Sequence, residues 1–564
     1  MSKKPAARPQ NETTLARPTV PHLVGPPLIA FIATVASLAT LAPEAGGPGI
    51  TCDELINVVN GKRLVLALRQ QGFGFFAAEN IRRNFPWEPG GPPMHPPLGN
   101  WILGAVHHLF DPDPDNPASV SVVPARFGLP LVFGLLALLV GLATARAEGT
   151  TAGTVAAAAV VLVPRVFGHS HLAGLDPITA LFCTAALFAV IEAERRGTRG
   201  GPFALAGVVW GLAMLTRLHG LLLAPPVVVW LVWRMRRRAL LPLAAWGTTG
   251  AATFFAGWPW LWLAPVEHLK QFLGTATRRQ AVHVYYLGRI WDDVDVPWHY
   301  PWVMFMLALP VGLLLLGLVG VWVKRRDLHS APGFVLLIGT LVWLLSVFSW
   351  PGTPVYDGVR LFLPVFPLWA VAVGVGAAWL IERPVLQRFS PSARGLGVGL
   401  FVGLQGVGLI VHHPCQLSHY SLLIGGLAGA DRVGMEATYW GDSVSETLLA
   451  EAARAAPGGR ILFAPNLAPF QSPAVEIFSP SLTNAQVRVL GWDPARPDLA
   501  AGCRIAVVYH RKADLSAIPP SWWEGDVLME RRQQGVWLAR LIRLPDRVGL
   551  AVGNGGPSGK TVGK

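Results

Sequence analysis

Residues 51–104 read TCDELINVVNGKRLVLALRQQ (51–71), GFGFFAAENIRRNFPWEP (72–89) and GGPPMHPPLGNWILG (90–104). The stretch follows the first apolar run, Val24 to Leu41, and precedes all the others. Asp53 and Glu54 therefore stand where a membrane chain leaves lipid, within reach of both water and a bound lipid head group. One reading gives this acidic pair chemistry. The other makes it a cap for the helix that follows, because carboxylates favour a helix N-terminus. The residues around the pair have to decide between them.

Those surroundings are a membrane protein's. Of 564 residues, 52% are hydrophobic and only 14% charged, well below the roughly 25% charged content of a soluble chain, and the mean hydropathy is +0.44. A formal net charge of +13 would point to nucleic acid in a soluble protein. Here Lys and Arg sit in short clusters between apolar runs, the pattern that orients membrane spans, so the implied partner is membrane lipid and not nucleic acid. Segments of spanning length fall near 24–43, 126–146, 151–166, 176–192, 203–218, 220–236, 240–262, 301–323, 332–350, 360–381 and 396–412, roughly eleven by the length criterion. The first lacks a convincing cleavage pattern, follows a polar arm with Lys3, Lys4, Arg8 and Arg17, and reads as a signal anchor.

Leu98 to Phe110 is apolar but short, and is assigned to the outer loop as an interfacial helix. With the N-terminus inside, the clusters at Arg146, Arg195 to Arg199, Arg234 to Arg238, Lys324 to Arg326 and Arg383 to Arg394 all fall on the cytoplasmic side. Counting 98–110 as a span would put Arg234 to Arg238 outside, against the positive-inside rule. Trp258, Trp260, Trp262, Trp298, Trp302 and Trp350 are then expected at the outer boundary, where amphipathic rings prefer to sit. Cys52, Cys183, Cys415 and Cys503 have no spacing for zinc or a redox centre.

The polar residues of this topology collect on the outer side. In the second outer loop, His169, His171 and Asp176 stand at the head of a new helix, with Pro177 in its first turn. Imidazole and carboxylate suit a divalent metal, although residues i and i+2 of a helix do not face one way and Asp-Pro is an ordinary helix start. Arg217, in Thr216-Arg217-Leu218-His219-Gly220, either serves a site, as a cation at membrane depth by default does, or snorkels to the interface. Arg278 and Arg279 in the loop 263–300 either meet a phosphate or rest in the head-group layer. Arg360, between Tyr356-Asp357-Gly358 and Leu361-Phe362-Leu363-Pro364, is a site residue or an interfacial anchor. Asp53, His95, Asp176, Arg217, Arg278 and Arg360 all emerge on one side, and no comparable set lies on the other.

The order Asp53-Glu54, then Lys62 to Arg83, then His95-Pro96-Pro97-Leu98-Gly99 resembles the protein O-mannosyltransferases and the wider family of polyprenyl-phosphate-dependent membrane glycosyltransferases, including the lipid A aminoarabinose transferase. In that family an acidic pair opens the first outer loop and a Pro-Pro-Leu turn closes it. The mannosyltransferases usually place Lys after the Gly. This chain has Asn100, so no role of that Lys carries over. The resemblance covers most of 24–440 and implies the membrane fold called GT-C. It also implies a second acidic residue at the place of Asp176, a basic residue near Arg217, an Arg before a Leu-Pro helix at Arg360, and single displacement with inversion at the anomeric carbon.

An outward site has no pool of nucleotide sugar, so a donor that travels in the membrane, a polyprenyl-phosphate sugar, meets the need. Transfer to a hydroxyl acceptor requires a base for that hydroxyl's proton and cations for the departing phosphate. Asp53 is assigned as the base, with Glu54 as its substitute, and Arg217, Arg278 and Arg279 as partners of the phosphate. Asp176 orients the acceptor or a water, and His95 shapes the sugar pocket or packs the helices. No cofactor is required, a divalent metal at His169 and His171 being the alternative. The rivals are a secondary transporter, which would want midplane polar groups and repeated halves, and a non-catalytic cell-envelope scaffold.

The expected architecture is a polytopic α-helical membrane protein of a bacterial plasma (inner) membrane, its site facing outward. It comprises a cytoplasmic arm (1–23), a GT-C-like membrane domain (24–412) with a catalytic outer loop (44–125), a small extracytoplasmic α/β domain (413–547) and a disordered tail (548–564) rich in Gly and Lys. In the α/β unit a helix is expected from Glu446 to Ala455 and strands at Arg460 to Ala464, Gln486 to Gly491, Arg504 to His510 and Val536 to Leu544. It carries none of the motifs above, so it reads as accessory.

Overall fold

The computed structural model describes residues 24–86, 91–274, 281–326 and 329–545. The N-terminal arm, the tail beyond 545 and the pair Arg278 and Arg279 lie outside these residues. The membrane part consists of α1 (Gly25–Ala39), α2 (Glu54–Gln71), α3 (Leu98–Phe110), α4 (Gly128–Glu148), α5 (Thr150–Val161), α6 (Asp176–Arg195), α7 (Gly200–Met214), α8 (Ala224–Met235), α9 (Leu240–Gly257), α10 (Tyr300–Ala308), α11 (Val311–Lys324), α12 (Pro332–Phe348), α13 (Val365–Ile381) and α14 (Pro391–Leu404). Among the described residues, four helical stretches are long and apolar enough to cross a membrane: Val122–Glu148, Asp176–Arg195, Leu218–Gly257 and Pro391–Val411. The pair α10 and α11 makes a fifth, and α1, α5, α7, α12 and α13 are shorter apolar helices.

One expected span takes an unexpected form. The segment 301–323 is broken, with α10 and α11 meeting at 112°. Pro310 lacks the amide that would continue the ladder, and Leu309 before it is extended at φ −85° and ψ 131°, as a residue preceding proline prefers. The forty-residue helical stretch Leu218–Gly257 holds two helices, α8 and α9, as the separate segments 220–236 and 240–262 led one to expect. Gly200 lies against Leu241, Gly207 against Trp246 and Gly211 against Gly250, so α7 and α9 run side by side in the same direction and α8 returns the chain between them. Arg236, in the left-handed region at φ 51°, makes the turn between α8 and α9.

The tryptophans divide in a way composition did not foresee. Trp298 and Trp350 are exposed as expected of interfacial rings, whereas Trp258 and Trp260 are buried. Trp258 packs edge-on to Phe272 and Trp260 stacks on His268, so these two belong to the core and not to a belt. All four cysteines are free and buried.

Outside the helices, β1 (His283–Tyr286) and β2 (Arg289–Asp292) form an antiparallel hairpin. After Ser443 the chain builds α15 (Glu446–Ala455) and a five-stranded sheet of β3 (Arg460–Ala464), β4 (Arg488–Gly491), β5 (Ile505–Tyr509), β6 (Asp526–Gln533) and β7 (Val536–Arg543), in the order β4-β3-β5-β7-β6. The first three are parallel and the last two antiparallel. Ser445 caps α15 by accepting from the Leu448 amide at 3.3 Å. Sequence patterning misses β6 because its DVLMERRQ is too charged to alternate, which is how an edge strand is kept from pairing with other chains. Gln534 and Gly535, at φ 48° and 82°, supply the two left-handed residues of its hairpin turn.

One face of this sheet does not close on itself. Ile461, Phe463, Val507 and Leu541 share a core with Ile50, Leu55 and Val58 at the start of α2 and with Leu103 of α3. At ~1.5–3 kcal/mol for each aliphatic side chain buried, that shared core ties the first outer loop to the C-terminal unit.

Candidate functional site

The site is built where three chain segments meet. Just before α2, the Gly49 amide donates to the Asp442 carbonyl at 2.8 Å and the Cys52 amide to the Trp440 carbonyl at 3.3 Å. This fixes the path of the backbone into Asp53. The turn His95–Gly99 is fixed in turn by the Leu98 amide, which donates to the Leu215 carbonyl at 3.0 Å, two residues before Arg217. A Cβ on Gly99 would lie 2.6 Å from Leu175 Cδ2, on the residue before Asp176, so the turn packs directly against the entry to α6. The Pro-Pro-Leu-Gly turn thus sets His95 beside the start of α6 and the end of α7.

The two acidic neighbours part company. Glu54 is buried and its carboxylate is fully occupied. Arg126 donates to it from Nε and Nη2 at 2.7 Å each, and the Thr51 and Ala173 amides donate at 2.9 and 2.8 Å. Arg126 also donates to the carbonyls of Leu41, Pro48 and Gly49. Asp53 holds the cap position of α2 but makes no capping hydrogen bond. Its side chain remains 25% exposed and accepts from Arg360 Nη2.

Arg360 is the hub. Besides Asp53, its Nε donates to Asp176 Oδ2 at 3.3 Å and its Nη1 to Asp357 Oδ2 at 3.1 Å, while its Cζ lies 4.1 Å from the centre of the Trp440 ring. Burial works against its charge, but Asp53 and then Asp176 outweigh it and hold the guanidinium well above its ordinary pKa. Asp176 also accepts from Arg217 Nη1, so it bridges two arginines and does not cap α6. His95 is pushed well below its ordinary pKa by burial and then by Arg217 and Arg360. It is a neutral imidazole at neutral pH, able to donate from one nitrogen and accept at the other.

Of the sequence candidates, Asp53, His95, Asp176, Arg217 and Arg360 come together. Glu54 points away from them into its own buried pair, and Arg278 and Arg279 lie outside the described residues. The metal reading of His169 and His171 finds no support. His169 Nε2 pairs with the Tyr439 hydroxyl at 3.1 Å. His171 is satisfied at both nitrogens, by the Phe167 carbonyl at 2.7 Å and the Thr40 hydroxyl at 2.8 Å. Among the described residues no group of three or more His, Cys, Asp or Glu side chains could hold a metal ion, and the helix that carries His169 ends there, leaving His171 in the turn that follows.

Three residues at the site carried no role in the sequence reading. Trp440 forms its aromatic floor. Asp357 shares its carboxylate between Arg360 and Arg511, which lies 2.9 Å from its Oδ1. The Asp357-Gly358 pair before Arg360 is a turn signal that could have drawn notice. Arg511, beyond β5, has no local signal at all.

Comparison with known proteins shows what the chain is similar to. Residues 94–262 match a family model described as dolichyl-phosphate-mannose-protein mannosyltransferase. The match begins one residue before His95 and takes in Asp176 and Arg217. The undecaprenyl phosphate-alpha-4-amino-4-deoxy-L-arabinose arabinosyl transferase of Erwinia tasmaniensis is 26% identical over 274 residues, 44% of this chain and 45% of that protein. Its counterpart in Pectobacterium carotovorum is 26% identical over 286 residues, 46% and 47%. The chain therefore spans about half the length of the curated relatives it matches. Among solved structures, ArnT from Cupriavidus metallidurans bound to undecaprenyl phosphate superimposes with a TM-score of 0.48 at 15% identity, covering 92% of this chain and 98% of that one. The S. cerevisiae protein O-mannosyltransferase Pmt1-Pmt2 complex bound to the sugar donor gives 0.33 at 14% identity, covering 48% and 39%. The family match over 94–262 and the curated relatives bear out the resemblance to polyprenyl-phosphate-dependent membrane glycosyltransferases.

Proposed function

We propose that this protein is an inverting glycosyltransferase that moves a sugar, mannose or a relative, from a polyprenyl phosphate to a hydroxyl acceptor at the outer face of the membrane. The observation that carries the reading is the Asp53–Arg360–Asp176–Arg217 chain, in which the partly exposed Asp53 is free of any capping duty and is paired with a buried guanidinium.

In the proposed step the acceptor oxygen bonds to the anomeric carbon as the bond from that carbon to the phosphate oxygen breaks, its electron pair leaving with the phosphate. The acceptor's proton passes to Asp53. Arg360 orients Asp53, and Asp176 aligns Arg217, whose remaining donors meet the departing phosphate. His95, neutral, donates to a sugar or phosphate oxygen. Arg278 and Arg279 stay candidates for the same phosphate. The scheme asks for no metal, because the arginines supply the positive charge. The eleven-crossing topology, with the N-terminus inside and both the 51–125 loop and the C-terminal unit outside, belongs to this proposal and rests on the alternation of the Lys/Arg loops.

The test begins with mass spectrometry of lipid extracted from the purified protein, followed by a transfer assay with the lipid found. Asp53→Asn keeps the side-chain size but cannot take the proton. Transfer should fall by ~10²–10⁴-fold, the usual worth of a general base, while polyprenyl phosphate still binds. Undiminished transfer by this variant would refute the assignment of Asp53.

A further inference from the structure

We propose that Arg511, contributed by the C-terminal sheet, is a positioning residue for the Arg360–Asp53 pair, so that the α/β unit completes the active site and is no accessory. The inference rests on the glycosyltransferase reading and deepens it.

Arg511 follows β5 and is buried. Its guanidinium is spent within the protein. Nη1 donates to Asp357 Oδ1 and to the Tyr439 carbonyl, each at 2.9 Å, Nη2 to the His283 carbonyl at 2.9 Å, and Nε to Asp514 Oδ2 at 2.6 Å. Such a guanidinium has no free edge for a substrate. Its action has to pass through what it holds.

What it holds is the turn that aims Arg360. Asp357 is left-handed at φ 56° and Gly358 follows at φ 65°, two successive residues in a region that side chains avoid. At Gly358 a Cβ would also fall 2.5 Å from Arg165 Nη1. The turn points the Asp357 carboxylate both ways, Oδ1 to Arg511 and Oδ2 to Arg360 Nη1. With Arg511 in place, Asp357 takes one nitrogen of Arg360 and leaves Nη2 for Asp53 and Nε for Asp176. Without it, both Asp357 oxygens are free to take Arg360 in the favoured bidentate fork, which draws the guanidinium away from Asp53. The same Arg511 fastens β1 through His283, whose Nδ1 also meets Asp514 at 3.0 Å, so one residue from the sheet fixes both the arginine hub and the outer hairpin beside it.

The experiment uses the full-length protein in detergent or nanodiscs and compares Arg511→Gln, Arg511→Lys, Asp357→Asn and the double variant Arg511→Gln/Asp357→Asn. Transfer by Arg511→Gln should show kcat reduced about 10–10²-fold, the scale of a small misplacement of reacting groups, with the donor KM little changed. Arg511→Lys should recover part of it. The double variant should be no worse than the poorer single one, because the two residues act in series. Hydrogen exchange gives a readout that needs no activity: amides of 353–363 and 51–57 should exchange faster in Arg511→Gln while β5 and β7 stay protected. Should Arg511→Gln not fold, Asp357→Asn leaves the other acceptors of Arg511 intact and carries the same test. Unchanged exchange at 353–363 overturns the proposal whatever the transfer rate, and so does an unchanged kcat in an active background. If the wild type transfers no polyprenyl-linked sugar yet exchange rises as described, the glycosyltransferase reading fails while the coupling of Arg511 to Arg360 stands.

Discussion

Asp53 and Glu54 are adjacent in sequence and alike in chemistry, and their environments assign them opposite duties. Glu54 shares a fully buried bidentate pair with Arg126, and removing one partner of such a pair leaves an unmatched charge worth ~3–5 kcal/mol of stability. Glu54→Gln should therefore lower the thermal unfolding temperature of the purified protein sharply, and transfer should fall in proportion to the folded fraction. Asp53→Asn should unfold close to the wild-type temperature while losing transfer. A Glu54→Gln protein that melts like the wild type yet transfers nothing would reverse the two assignments. The sequence marked the pair because carboxylates at a lipid exit are costly enough to mean something. It could not separate the members, because the partner of Glu54 lies 72 residues away at Arg126 and that of Asp53 lies 307 residues away at Arg360.

The 44–125 loop keeps its shape through one helix crossing. Gly61 of α2 and Gly104 of α3 bring two backbones together so closely that a Cβ on Gly104 would fall 2.1 Å from the Gly61 carbonyl oxygen. Beside the crossing, Lys62 is paired with Asp111 at 2.6 Å, both buried. Gly104→Ala should push α3 from α2 and cost ~1–3 kcal/mol, the range for overpacking in a tight core, read as a lower midpoint in thermal unfolding. Because α3 begins at the HPPLG turn, the same variant should weaken transfer, and an unchanged midpoint would mean the helices do not cross at this point. The apolar run 98–110 located α3. The two glycines looked unremarkable in sequence, since a close approach belongs to a pair of helices and neither carries it alone. Likewise 301–323 read as one continuous span, and its break at Pro310, with 112° between the halves, came only with the structure.

Across the whole molecule the polar cluster, the first outer loop and the C-terminal sheet form one continuous body. A cysteine introduced at Asn484, an exposed residue at the edge of the α/β unit, should react with a membrane-impermeant maleimide in intact cells. The native cysteines, all buried, should contribute little background. Labelling only after permeabilisation would place the unit inside and remove the proposed outward site. What the sequence determined by itself was the class of molecule: the apolar runs and the Lys/Arg clusters make a polytopic membrane protein, since span length and loop charge are local properties that each segment carries alone. It also determined five members of the polar cluster, because ionisable groups and a proline-rich turn at the ends of apolar helices stand out against their surroundings. Only the tertiary structure decided that Arg360 is shared among Asp53, Asp176 and Asp357, that the histidines of the second outer loop face apart, and that Arg511 reaches the site from the far end of the chain. Apart from the local Asp357–Arg360 pair, those pairings join residues tens to hundreds of positions apart, and the free energy that selects them comes from burying charge against charge, which no stretch of sequence can do alone.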